Sequence, residues 1–231
     1  IMAILTHSGR AALAAAVKNE TLHLAIGRGQ TWWDTERQLT QAFDAADTIA
    51  VGHAPLVAVT VKSADGQTTY AAGQDYQVDA AAGTIRRMAD GAIAAGQTVS
   101  VTATIGRPAE DVTATALMDE VCRRTVDEVY FVAPDPNGEI SLSTGRYRIS
   151  QTPTPHLFIR TKFDFGDAVG ATIREQALFV GTETDPDLPP GQRLFTPDQL
   201  ISPGVLLLIE HTPPIVRQAS TRETFEFVLT F

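Results

Sequence analysis

The chain of 231 residues is expected to be an α+β protein, mainly β: antiparallel sheets with two helices, plus an inserted small β-sandwich. Three observations predict this. Two stretches, one close to the start and one near the middle, carry apolar residues at helical spacing. Most other apolar runs alternate with a period of two, as in a strand with one covered face. Between about residues 48 and 105 the runs shorten and are punctuated by Gly and Asp-Gly. That texture divides the chain into a discontinuous core domain, 1–47 and 106–231, and a β-sandwich module, 48–105.

The first helix is "SGRAALAAAV". Ser8 is the expected N-cap, and Ala11, Ala12, Leu13, Ala15, Ala16 and Val17 give an apolar face of high helix propensity. The segment is no membrane span: His7 and Arg10 interrupt it, and no run approaches the ~20 apolar residues a span needs. "TLHLAIG" follows as a strand, with Leu22, Leu24 and Ile26 on its buried side. Gly27 and Gly29 end it. They do not form a dinucleotide fingerprint, since Trp32 stands where the third glycine is required. In "QTWWDTE", Trp32 and Trp33 are adjacent in a loop and cannot both face one core. Either one ring packs beneath the loop while the other covers it, or the pair anchors a partner.

In the module, "DYQVDAAAGTIRR" reads as strand, turn, strand, and "DG" at 65–66 and 90–91 marks further turns. A second helix is expected in "VTATALMDEVCRRTVDEV", residues 112–129, with Leu117, Val121, Cys122 and Val126 on one stripe. Cys122 then reads as a small buried hydrophobe, with nothing nearby to activate a thiolate. "VYFVAPDPNGEISL" gives strand, turn and strand. "HLFIRTKFDF" and "TRETFEFVLTF" are alternating strands, and "GVLLLIEHTPP" is a buried strand. Residues 182–204 form a loop rich in proline, and a segment this long is usually functional or ordered by a neighbour.

A net charge of −9, with 18 Lys and Arg dispersed among 27 acids, opposes nucleic-acid binding. One cysteine excludes an internal disulfide framework and fits folding in a reducing cytosol. The five histidines never fall at metal-ligand spacing, and no nucleophile elbow or phosphate loop occurs. No cofactor, metal or catalytic residue is therefore expected. Arg174 and Glu175 open the apolar run "ALFV", where an ion is expensive to bury unless paired and hydrogen-bonded. The expectation is a structural clasp of Arg174, Glu175 and Arg123, with Glu175 meeting Arg123, Arg124 or a backbone amide.

Several of these pieces together carry a resemblance. Leu5, Thr6, Gly9, Ala12 and Leu13 lead to Gly27 and Gly29, then to Ala116, Leu117, Glu120, Val121 and Arg123, then to Ile173, Arg174, Glu175, Leu178 and Phe179. In that order they resemble the N-terminal domain of phage tail-collar or tail-fibre proteins, and "YQVDAAAGTI" is similar to a β repeat of phage tail and baseplate proteins. The sequence departs from that family in its β module, which stands where the family has a loop, and in lacking a long fibrous region, which favours an adaptor or baseplate component over a fibre. The resemblance implies a virion structural protein, made in the bacterial host cytoplasm and assembling as a homo-oligomer with other tail and baseplate proteins and tail fibres. No membrane insertion is expected. The expected contact residues are Trp32, Trp33, Pro186, Pro189, Pro190, Phe195 and Pro197. Two other readings stay open: a carbohydrate- or host-receptor-binding module using Trp32, Trp33 and Tyr70, and a hydrolase using Asp119, Glu120, Asp127 or Glu128.

Overall fold

A computed structural model describes residues 3–231. Strands account for 47% and helix for 7%, so the protein is mainly β with antiparallel sheets, and among the described residues one α-helix is found where two were expected. Contacts divide the chain into two compact units, one running to Gly29 and resuming at Asp111, the other Gln30–Glu110.

The chain enters through helix α1, His7–Lys18. Its N-cap is Thr6, whose hydroxyl accepts the Gly9 amide at 3.1 Å, and Ser8 lies in the first turn instead. The buried stripe is narrow: Ala14 is fully covered while Leu13 is exposed. Strand β1, Leu22–Gly27, follows. All six of its residues are buried, not one face only. It is the middle strand of a five-stranded sheet, and apolar side chains cover it on both sides.

The unit Gln30–Glu110 contains β2 (Glu36–Ala42), β3 (Thr48–Ala50), β4 (Leu56–Ser63), β5 (Tyr76–Asp79), β6 (Thr84–Arg87) and β7 (Thr98–Ile105). They form two three-stranded antiparallel sheets, ordered β2-β7-β4 and β3-β6-β5. Val61, Val99, Val101 and Ile105 of the first share one core with Ile49, Tyr76 and Ile85 of the second. The strand, turn and strand expected in "DYQVDAAAGTIRR" form the β5–β6 hairpin, with Tyr76 opposite Arg87 and Asp79 opposite Thr84. Gly83 turns it with φ +69°, and a side chain there would stand 2.4 Å from the His53 carbonyl.

The chain returns through β8 (Glu120–Thr125), β9 (Glu128–Pro134), β10 (Ile140–Leu142), β11 (Gly145–Ile149), β12 (His156–Phe163) and β13 (Thr172–Val180). Short strands β14 (Glu183–Thr184), β15 (Leu194–Phe195) and β16 (Leu200–Ser202) come next, then β17 (Val205–Val216) and β18 (Glu223–Thr230). The expected helix at 112–129 is therefore wrong: it is replaced by β8 and the start of β9. β8 gains ladders from β1 on one side and β15 on the other, and this tertiary pairing overrides the local pattern. Cys122 joins the core with Leu24 and Ile26. The adjacent Arg123 finds a carboxylate partner on the other face.

Two five-stranded sheets result, β15-β8-β1-β13-β17 and β10-β11-β9-β12-β18. Leu24, Ile26 and Ile173 of the first pack with Phe163 and Phe225 of the second, and Leu22 and Leu178 pack with Leu157, Ile159 and Ala14. The first sheet is also buried behind: Ala25, Ala177 and Phe179 lie against Leu117. That second covered face positions the candidate site.

Candidate functional site

Glu175 sits on β13 opposite Gly27 of β1 and His211 of β17, and is fully buried. Gly27 leaves room for its carboxylate, since a Cβ there would come within 2.7 Å of Oε2. The backbone N–H groups of Gly29, Met118 and Asp119 donate to this carboxylate at 3.1, 3.2 and 3.4 Å. His211 Nε2 lies 3.7 Å from Oε1. Arg174, the next residue, donates from Nη1 to the Arg28 carbonyl at 3.3 Å, and the Arg28 amide donates to the Asp119 carbonyl. Gly29 closes the first part of its unit, and Met118 and Asp119 follow closely on the return at Asp111. One carboxylate thus ties together the outgoing and returning segments.

Arg123 does not reach Glu175. Its guanidinium, 1% exposed, makes two 2.8 Å bonds to the Glu120 carboxylate and donates to Thr182 Oγ1 at 2.8 Å and the Pro203 carbonyl at 2.6 Å. It also lies 4.0 Å over the Phe179 ring. Thr182 and Pro203 are the two ends of the proline-rich segment, so Arg123 closes that loop at its base. Within the segment, Phe195 pairs with Arg123 in the ladder, and Arg193 donates to the Thr125 and Val126 carbonyls and pairs with Asp127 at 2.9 Å. Gln192 bonds to Leu194 and Gln199. The segment is ordered by its own chain.

Of the expected contact residues, Pro186, Pro189, Pro190 and Pro197 are exposed on this fastened segment. Phe195 is not: it is buried with its ring edge-on to His23. Trp33 is likewise a core residue, 2% exposed, while Trp32 is half-buried and stacked on His53 with ring centroids 4.3 Å apart. Tyr70 is buried as well, so Trp32, Trp33 and Tyr70 offer no flat aromatic face for a sugar. Asp119, Glu120, Asp127 and Glu128 are each engaged by an arginine: Arg28, Arg123, Arg193 and Arg160. Burial pushes the Cys122 thiol up to about 12, with Asp167 and Glu120 adding to the shift. Among the described residues no group of three His, Cys, Asp or Glu is placed to hold a metal ion, and no helix is long and apolar enough to cross a membrane.

Two buried groups escaped the sequence reading. Arg217 donates to the Asp164, Asp167 and Thr221 carbonyls and so organises the turn before β13. An isolated arginine serving backbone oxygens leaves no sequence signal. His23 lies behind the proline-rich segment, 3.3 Å from Thr125 Oγ1, and desolvation, aided by Arg123, lowers its pKa from 6.5 to about 4. Folded His23 is neutral at pH values where the unfolded chain is protonated. Stability is then fully present above about pH 6.5 and falls as pH drops toward 4. Urea titrations across this window should show a His23→Gln variant with a shallower decline, the difference approaching one proton taken up on unfolding. Equal slopes would refute the assignment.

The comparison with known families decides the class. A family described as "Baseplate wedge 3 tail fiber network component" matches residues 2–82 and 70–231, nearly the whole chain. The chain belongs to this family. It is a structural component of the phage baseplate and tail-fibre network, located in the virion tail and interacting with other baseplate and tail proteins. No curated protein matches the sequence.

Proposed function

We infer that this baseplate component is an adaptor, connecting tail fibres or other baseplate proteins to the tail, and that several copies assemble within the virion. The observation that carries the reading is the segment 182–204. Its exposed prolines stand on a loop that Arg123 fastens at both ends and Phe195 plugs into the fold. A contact surface held rigid in advance loses little freedom on binding, which suits a permanent joint. Trp32 adds a half-buried aromatic of the kind that anchors interfaces.

Arg174, Glu175 and Arg123 act as structural clasps in this reading. In this reading the module at 48–105 is a β-sandwich inserted in a tail-collar-like core domain, 1–47 and 106–231; the separate hydrophobic cluster and two short sheets of the wider unit Gln30–Glu110 support it. The test is the mass in solution by light scattering, first of the protein alone and then mixed with the other baseplate and fibre proteins of the same phage. A stoichiometric complex is expected, weakened when Pro189 and Pro190 are replaced by Asp. A protein that stays free of every one of them would overturn the adaptor reading.

A further inference from the structure

A groove of about 440 Å³ runs beside β18, lined by Thr224, Glu226, Phe227 and Val228, by Glu210 of β17, and by the hairpin tip 141–144 between β10 and β11. β18 is the last strand of its sheet. β12 pairs all eight of its residues on one side in unbroken register. Such an edge leaves a row of backbone N–H and C=O groups open, and proteins normally blunt it with proline, lysine or a bulge. β17, the edge of the other sheet, is blunted in this way by Pro213, Pro214 and two register shifts. β18 has no proline, glycine, lysine or bulge. Behind the groove wall, Gln176 is 8% exposed, donates to Glu210 at 2.5 Å, and leaves its own carbonyl oxygen without a partner.

We propose that β18 accepts an extended, basic segment of a partner tail protein as an added strand, lying in the groove with cationic side chains toward Glu210 and Glu226. This deepens the adaptor reading and rests on it. Main-chain bonds along β18 supply affinity, and alternate side chains in the groove supply selectivity. Charge identifies the occupant. Both ionisable residues of the groove are carboxylates, and the chain carries a net −9. Glu226 is already held by Arg160, whereas exposed Glu210 is met by the neutral amide of Gln176. A second copy of β18 fits poorly, since its charged side chains, Glu223 and Glu226, are both carboxylates and would enter a groove that already holds Glu210 and Glu226.

The experiment is amide hydrogen exchange on the intact protein with overlapping synthetic 12-residue peptides covering the baseplate and tail-fibre proteins of the same phage. One basic peptide should slow exchange at alternate amides of β18. Glu210→Gln, which keeps an acceptor oxygen for the Gln176 amide, and Thr224→Lys, at an exposed position, should each weaken its binding by about tenfold or more while leaving the melting temperature unchanged. The proposal falls if no peptide protects β18, if a protecting peptide ignores both variants, or if protection grows only with the protein's own concentration. Variants that still assemble normally with the intact partner proteins would refute strand addition and leave the adaptor reading standing. Failure of the unaltered protein to assemble with any partner would remove both.

Discussion

Replacing Glu175 by Ala should lower the melting temperature by on the order of 10 °C, from a loss of roughly 3–5 kcal/mol at about 2–4 °C per kcal/mol. The buried carboxylate satisfies three backbone N–H groups in segments more than 50 residues from it in sequence. Its removal strands all three, and each buried donor left unmade costs about 1–3 kcal/mol. The alanine also empties the space that Gly27 leaves for the side chain. Glu175→Gln keeps one acceptor oxygen and most of the volume, so its loss should be smaller. Scanning calorimetry checks both. An alanine variant melting within about 2 °C of wild type, under 1 kcal/mol on the same scale, would show that Glu175 is no clasp.

The second large effect belongs to Arg123. Changing it to Met keeps apolar contact with Phe179 but leaves Glu120 without its cation and releases Thr182 and the Pro203 carbonyl. Breaking one side of a buried pair costs about 3–5 kcal/mol. The damage should also be local, because Arg123 holds the base of segment 182–204. Trypsin is expected to cut at Arg193 about tenfold faster in the variant, as local opening becomes easier. Adding Glu120→Gln should recover part of the stability by removing the orphaned charge. Unchanged proteolysis would show that Arg123 stabilises the sheet without closing the loop.

Where one face of an element carries its apolar residues, the sequence revealed it. Strands β12 and β18 and the β5–β6 hairpin follow alternation and turn chemistry directly, and α1 follows its alanine-rich run, whereas β17, expected as a buried strand from its continuous apolar run, is the partly exposed edge of its sheet. β8 misled because Leu117, Val121, Cys122 and Val126 fit a helical stripe. What decides its conformation is the neighbour β1, brought from about 100 residues away. The same distance hid the partners of the buried ions. Glu175 was conspicuous as a charge entering an apolar run, and a backbone amide was one of its open alternatives. Nothing near it in sequence singled out Gly29, Met118 or Asp119. Arg123 and Glu120 lie three residues apart, yet the expected partner of Arg123 was Glu175. That one ring of the Trp32–Trp33 pair packs beneath its loop was legible, though not which ring, whereas Phe195 was legible only as a contact residue, since burial depends on which strands close over it.

The bridging role is tested most directly by a single-particle cryo-electron microscopy map of the assembled tail. An adaptor should appear in the baseplate with each copy touching two different proteins, at least one through the segment 182–204. Copies that contact one kind of neighbour only, with Pro186, Pro189, Pro190 and Pro197 facing solvent, would contradict it.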